Sequence, residues 1–244
     1  MKYGVFSDVH GNYEALKAVL AFYRRKGVKD FICCGDIVGY GPQPLECVEA
    51  LSGIKELVAV MGNHDAALAG KLGVKWFNPD AAWAIEFTRG RLTGQAMDYV
   101  AGLPEIVETD DFTLVHGSPC KPLTEYLLSE NQYTANAKKW TVSPCFLGHT
   151  HMPLYFREGP SGAPETDFMK PLARISAASG RVMINPGSVG QPRDGDSRAA
   201  CGIYDSESRS FELHRVSYDI EATQKLMTRL NMPAELANRL SFGF

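Results

Sequence analysis

Within its first 70 or so residues the chain repeats one pattern three times, an apolar run closed by small and polar residues and followed by a helical periodicity. Met1 to Val9 is the first such run; Gly11 and Asn12 then open a segment carrying Leu16, Val19, Leu20 and Tyr23 at helical spacing, ended by Gly27. Phe31 to Cys34 is the second, closed by Gly35 and Asp36 and followed by Leu45, Val48 and Leu51. Leu57 to Met61 is the third, closed by Gly62-Asn63-His64-Asp65 ahead of a further helix. Parallel strands need a long crossover, usually a helix. Three strand-loop-helix units therefore predict a parallel sheet covered by helices.

The segment Asn78 to Leu103 reads as helical. Asn78-Pro79 supplies a cap and a first-turn proline, and Trp83 and Phe87 lie one turn apart, a spacing that suits core packing and would also suit the roof of a site. From Phe112 short strands return as FTLVHG, PCFLGH, PLYFRE, RVMINPG, CGIYD and SFELHRV. With no long helices between them, they predict a largely antiparallel sheet packed against the first. Gly159 to Thr166 reads as a surface loop, Asp194 to Asp196 as a turn and Ile220 to Leu240 as a terminal helix. The expected class is mixed α/β, with residues 1–244 forming one domain that has a substantial core.

Composition excludes several alternatives. A hydrophobic share of 45% with 22% charged residues is that of a globular chain, not a disordered or coiled-coil one. The net charge of -3 lacks the basic excess of a surface devoted to nucleic acid, and Arg24-Arg25-Lys26 and Lys138-Lys139 read as solvated helix faces. No run is long and apolar enough for a membrane span, no secretory signal pattern opens the chain, and the six cysteines show no C-x-x-C spacing. The expectation is a cytoplasmic protein with reduced thiols, no membrane partner and nucleic acid disfavoured as a partner.

The polar chemistry collects at the strand ends. Asp8, His10, Asp36, Asn63, His64, His116, His149 and His151 all fall at or just past the carboxyl end of an apolar run, and they include five of the six histidines. Ligand sites in α/β sheets gather in those loops. Residues two apart in extended backbone share a side, which would pair Asp8 with His10 and His149 with His151. Any one of these residues alone reads as a cap or turn residue. Together, two carboxylates, five imidazoles and an amide are a metal-ligand set too large for one tetrahedral ion, and two metals is the economical count. His214, in FELHRV, reads as a strand-surface or packing residue.

The series Asp8-x-His10, Gly35-Asp36, Gly62-Asn63-His64-Asp65, Val115-His116-Gly117 and Gly148-His149-Thr150-His151 resembles the motif set of the calcineurin-like metallophosphoesterase superfamily across residues 5–151. Asn185-Pro186-Gly187-Ser188 is similar to a segment of its compact bacterial and archaeal phosphodiesterase branch. The resemblance implies a β-sandwich of two mixed sheets flanked by helices in four layers. It also implies Asp8, His10, Asp36 and His151 on one metal and Asp36, Asn63, His116 and His149 on the other. Asp36 would bridge, since a carboxylate has two oxygens to share and an imidazole offers a metal one nitrogen. His64 is left free as a general acid, with Asp65 orienting its ring and favouring its charged form; the plainer alternative is that His64 closes a turn.

Two divalent cations leave a positive surplus over the two ligand carboxylates, which a hydroxide and an anionic phosphoryl group would neutralise. The expected reaction is hydrolysis of small phosphodiesters or phosphomonoesters, nucleotide-like ones included, by metal-bound hydroxide. Manganese is the first expectation, and iron, nickel, cobalt and zinc also suit Asp, Asn and His ligands.

Departures from the family narrow the substrate. Ser/Thr protein phosphatases and symmetrical dinucleoside polyphosphate hydrolases follow Gly-Asp with Asp-Arg-Gly, whose arginine holds phosphate. Here the run is Gly35-Asp36-Ile37-Val38-Gly39-Tyr40-Gly41-Pro42, and the next motif ends in Asp65 in place of glutamate. Protein phosphatase activity is therefore disfavoured. Arg193, in NPGSVGQPRDGD, is a candidate replacement contact for phosphate, against the plainer reading of an exposed turn arginine. Asn12 and Tyr40 are further candidate substrate contacts. A nuclease would need a basic, aromatic groove. A non-enzymatic scaffold, as in a retromer subunit that resembles this branch, would be expected to show broken ligand positions, and every one is intact here.

Overall fold

The computed structural model describes residues 1–159 and 161–244, so Pro160, within the expected loop at Gly159 to Thr166, lies outside the described residues. Strands β1 (Lys2–Phe6), β2 (Asp30–Cys33) and β3 (Leu57–Ala59) run parallel, with Phe6 level with Cys33 and Cys33 level with Ala59. Between them α1 (Tyr13–Arg25) and α2 (Pro44–Ser52) return the chain, as the periodicity predicts. After β3 comes α3 (Asn63–Leu68), which begins on Asn63 itself. The predicted helix at Asn78 to Leu103 is two helices, α4 (Pro79–Arg89) and α5 (Gln95–Gly102), separated where Gly94 takes a φ of 52°. Trp83 and Phe87 stack on each other at 5.1 Å; Phe87 belongs to a core cluster whereas Trp83 is exposed, so the packing reading holds for Phe87 alone.

The second half departs from the predicted antiparallel sheet. β4 (Ile106–Glu108) and β5 (Thr113–Val115) are followed by α6 (Glu130–Asn136), β6 (Cys145–Phe146), β7 (Pro153–Glu158) and β8 (Pro164–Phe168), so the end of the expected loop is strand. Next come β9 (Arg174–Ser176), β10 (Val182–Pro186), β11 (Ala199–Asp205) and β12 (Ser210–Val216). The first sheet has the order β3-β2-β1-β11-β12-β9 and the second β4-β5-β6-β10-β7-β8. Strands β5, β6 and β10 are mutually parallel. Apolar alternation specifies which face of a strand is buried but not which sheet it joins, and the crossover from β5 to β6 carries too short a helix to show a period.

The two inner faces meet in a core of Val5, Ile32, Tyr204, Phe211 and Leu213 against Leu114, Phe146, Val182 and Ile184. Leu16 and Val19 of α1, Val48 and Leu51 of α2 and Val100 of α5 cover the outer face of the first sheet, while Tyr133 of α6 and Trp140 cover that of the second. The result is two six-stranded mixed sheets flanked by helices. The expected terminal helix is two, α7 (Ile220–Arg229) and α8 (Ala234–Asn238), interrupted near Pro233. They pack with α4 around Tyr40. All six cysteines are free and five are buried. Among the described residues no helix is long and apolar enough to cross a membrane.

Candidate metal centre

The chain does not leave its strands in extended form. Asp8, His10, Asp36, Tyr40, His149 and His151 take φ values of 53°, 49°, 53°, 51°, 69° and 61°. They are six of the nine non-glycine residues with positive φ among those described, and such a conformation costs roughly 1–2 kcal/mol per residue. Strand alternation therefore does not pair these residues, contrary to the sequence expectation. The left-handed turns set where each side chain points, and backbone bonds from Asp8 N to Gly35 O at 3.0 Å and from His10 N to Asp36 O at 2.9 Å tie the loop after β1 to the loop after β2. At Gly62 any side chain would strike the carboxylate and amide of Asp36, so glycine is required for the loops after β2 and β3 to meet.

Three overlapping groups of ligand-type atoms result: Asp8, His10 and His151 in one, Asp36, His116 and His149 in a second, and His10, Asp36 and His64 in a third that joins them. The first has His151 Nε2 at 3.4 Å and His10 Nε2 at 3.8 Å from Asp8 Oδ1. In the second, His116 Nε2 lies 3.0 Å from Asn63 Oδ1 and 3.2 Å from His149 Nδ1. Asp36 stands between them, its Oδ2 at 3.6 Å from His10 Nε2 and 3.4 Å from His116 Nε2. His149 and His151 thus belong to different groups, and Thr150 between them turns to Asn185, whose amide donates to its hydroxyl at 3.0 Å.

The hydrogen bonds assign the imidazole tautomers. His10 Nδ1 lies 3.1 Å from Val38 O, and His151 Nδ1 lies 2.7 Å from Gln191 O. A carbonyl can only accept, so both Nδ1 atoms carry protons and both Nε2 atoms present lone pairs. Those Nε2 atoms are 3.0 Å apart. Two lone pairs aimed at one region, beside carboxylate oxygens, fit a cation held by both rings, and a backbone carbonyl on the far nitrogen is the usual support of a ligating histidine. His149 Nε2 is buried without a partner.

Electrostatics point the same way. Burial holds His10, His149 and His151 well below the ordinary histidine value and so keeps their lone pairs free. Burial pushes Asp8 up to about 7. At Asp36 burial acts upward too, but the imidazoles of His116, His64 and His10 outweigh it and hold the carboxyl well below its usual range. At His116 burial is outweighed by Asp36 and Asp8, which raise the ring to about 9. Only at Asp36 and His116 do the neighbouring charges favour the ionised form over burial.

The other candidates divide. His64 is buried, its ring 4.6 Å from Tyr40, 4.8 Å from His10 and 5.0 Å from Phe77, with Nδ1 unpartnered. Burial lowers it to about 4. Asp65 does not orient that ring: its carboxylate accepts from the amides of Ile37 at 3.3 Å, Val38 at 3.2 Å and Gly62 at 3.0 Å, which ties α3 to the loop after β2. Asn12 is likewise spent on structure, accepting from Ala15 N at 3.2 Å as the α1 cap and donating to Gly190 O at 3.0 Å. Tyr40 lies against His10 at 4.7 Å. Arg193 is no exposed turn residue; it is half-buried, donates to Gln191 Oε1 at 2.8 Å, and lies 5.8 Å from the Tyr40 ring. His214 sits far along β12 against Phe22 and Glu212, as a packing residue. Sequence reasoning missed Tyr126, stacked on His149 at 3.8 Å, Trp76, 6.4 Å from the same imidazole, and Phe77 next to Trp76, because an irregular loop and a single 3₁₀ turn show no period.

Comparison with known proteins adds the following. Residues 1–209 match a family model described as the calcineurin-like phosphoesterase superfamily domain. An uncharacterised protein of Methanocaldococcus jannaschii is 35% identical over 98% of this chain and 97% of its own length. A metallophosphoesterase structure from Sphaerobacter thermophilus superposes with a TM-score of 0.90 at 40% identity, covering 100% of both chains. A symmetrical bis(5'-nucleosyl)-tetraphosphatase of Buchnera aphidicola is 40% identical over 72 residues, 28% of this chain and 26% of its own.

Proposed function

Because this chain belongs to the calcineurin-like phosphoesterase superfamily, we propose that it hydrolyses small phosphodiesters or phosphomonoesters with two divalent cations. Asp8, His10, Asp36 and His151 would hold one, and Asp36, Asn63, His116 and His149 the other. The observation that carries this reading is the pair of lone pairs on His10 and His151, 3.0 Å apart, with the Asp36 carboxylate standing between the two groups, 3.6 Å from His10 and 3.4 Å from His116. Manganese is the metal proposed first; iron, nickel, cobalt and zinc suit the same donors. Bound there, the cations supply acidified water and neutralisation of phosphoryl charge.

The chain's own residues supply the rest. Arg193 is proposed to bind a phosphoryl oxygen in place of the arginine that the motif at Asp36 lacks. His64 is proposed to hold the proton for the departing oxygen. Burial keeps its ring near a pKa of about 4, so the charge of an adjacent phosphoryl group must raise it before it can act as an acid. Asp65 fixes the loop on which that ring stands. The short similarity to a symmetrical tetraphosphatase supports a nucleotide-like substrate. The missing Asp-Arg-Gly run argues against a protein substrate and equally against a symmetrical dinucleoside polyphosphate.

The test is reconstitution with manganese, counting of bound metal by mass spectrometry, and a screen of phosphomonoesters, linear and cyclic phosphodiesters and dinucleoside polyphosphates. Two metals per chain with turnover that Asp36→Asn abolishes is the expected result. Two bound metals with no turnover of any phosphoester would overturn the proposal.

A further inference from the structure

We infer that Trp76 and Tyr126 form an aromatic wall at the mouth of the centre that stacks a planar ring carried by the phosphoester, as a nucleobase would be. This deepens the phosphoesterase reading and rests on it. Tyr126 lies on His149 with ring centroids 3.8 Å apart and planes 23° apart, and Trp76 stands 6.4 Å from the same imidazole at 20°. Both rings are thus close to one common orientation, set by a proposed metal ligand. Neither belongs to a core: Trp76 is 46% exposed and Tyr126 42% exposed.

Both are nevertheless fixed in place. Trp76 is braced edge-on by Phe77 at 5.1 Å, and Phe77 in turn packs against His64 at 5.0 Å. The Tyr126 backbone is held by Gln132, whose side-chain amide donates to its carbonyl at 2.7 Å. Two large rings held half in water gain little from packing, and aromatic faces so placed stack planar rings with little regard to which ring it is. The wall adjoins His149, and the Arg193 guanidinium lies beside Tyr40 in the same basin. A phosphoester could therefore place its charge on the basin and its ring on the wall.

The experiment titrates the manganese-loaded protein with ribose 5-phosphate, adenosine 5'-monophosphate and phenyl phosphate, reading affinity by calorimetry and tryptophan fluorescence. Adenosine 5'-monophosphate is expected to bind about tenfold more tightly than ribose 5-phosphate and to quench fluorescence. Phenyl phosphate, whose ring sits directly on the ester oxygen, reports whether the wall takes an aryl group as well as a base; a gain with either ring supports the wall. In Trp76→Ala and Tyr126→Ala the ratio of the two affinities should fall toward one, and Trp76→Phe should restore most of it. If ribose 5-phosphate binds and neither ring adds affinity, the wall is refuted while the phosphoesterase reading stands. An affinity ratio unchanged in both alanine variants refutes the wall as well. If none of the three binds, the wall is refuted, and the phosphoesterase reading falls with it only if no phosphoester is turned over.

Discussion

The interior of the sandwich and its polar edge differ in how they dispose of buried polar atoms. Away from the edge most hydroxyls are spent on carbonyls: the Tyr23 hydroxyl meets those of Val5 at 2.9 Å and Gly202 at 3.1 Å, and Thr88 donates to Ala84 O at 2.8 Å, while the Trp140 indole nitrogen is buried without a partner. At the edge His149 Nε2 and His64 Nδ1 have no partner, and two imidazole lone pairs face each other. An unsatisfied buried polar atom costs roughly 1–3 kcal/mol, and the left-handed turns add to that. The unpartnered atoms of the interior are scattered singly. The edge has the form of a receptor, held open by a core that over-determines it.

The comparison breaks first at Asp36, the carboxylate standing between the two groups. Asp36→Asn keeps an oxygen for the His64 amide, which Asp36 Oδ1 accepts at 2.8 Å, but removes the bridging charge. It should lower kcat/KM by on the order of 10³-fold or more and release metal, with the circular dichroism spectrum unchanged. His64→Ala should lower kcat by about 10²-fold while mass spectrometry finds the metal content of the native protein. If metal and activity fall together, the acid assignment is wrong.

Chelation tests the edge as a whole. A metal present at about 100 times its Kd adds about 2.7 kcal/mol, so removing it should lower Tm by roughly 5–10 °C in calorimetry. An unchanged Tm would mean that the edge is as stable without cations as with them. Arg193→Ala is a finer probe: KM should rise about tenfold with metal content intact, and unchanged kinetics would remove Arg193 from the site.

The smallest effect belongs to the interior. Tyr23→Phe should cost about 1–2 kcal/mol in urea unfolding and leave activity in place. Burial raises the Tyr23 phenol well above its ordinary value. Its contribution is therefore full below about pH 10, where the unfolded phenol titrates, and is lost as pH rises further. The fall of Tm above that pH should be shallower in the phenylalanine variant.

Legibility in the sequence follows the same division. The three opening β-α units and the strand-end ligands could be read because periodicity and glycine placement are local. The destination of β11 and β12 could not, since their alternation suits either sheet. Asp65 and Asn12 were legible as motif neighbours, but their work on backbone amides depends on loops brought together in space. Trp76 and Tyr126 carried no signal, because an aromatic in an irregular loop or a single 3₁₀ turn has no period to betray it.

Residue type and spacing alone thus determined the parallel half of the first sheet and the donor set of the centre, because a ligand is defined by its chemistry and a strand-helix unit by its short-range pattern. The family resemblance already implied how the donors divide, and the tertiary structure supplies the physical reason, with His149 beside His116 and His151 beside His10. That division rests on left-handed turns and on carbonyls of Val38, Gln191 and Cys34 that meet the rings across long stretches of chain. Long-range contacts of this kind leave no periodic trace in the residues that make them.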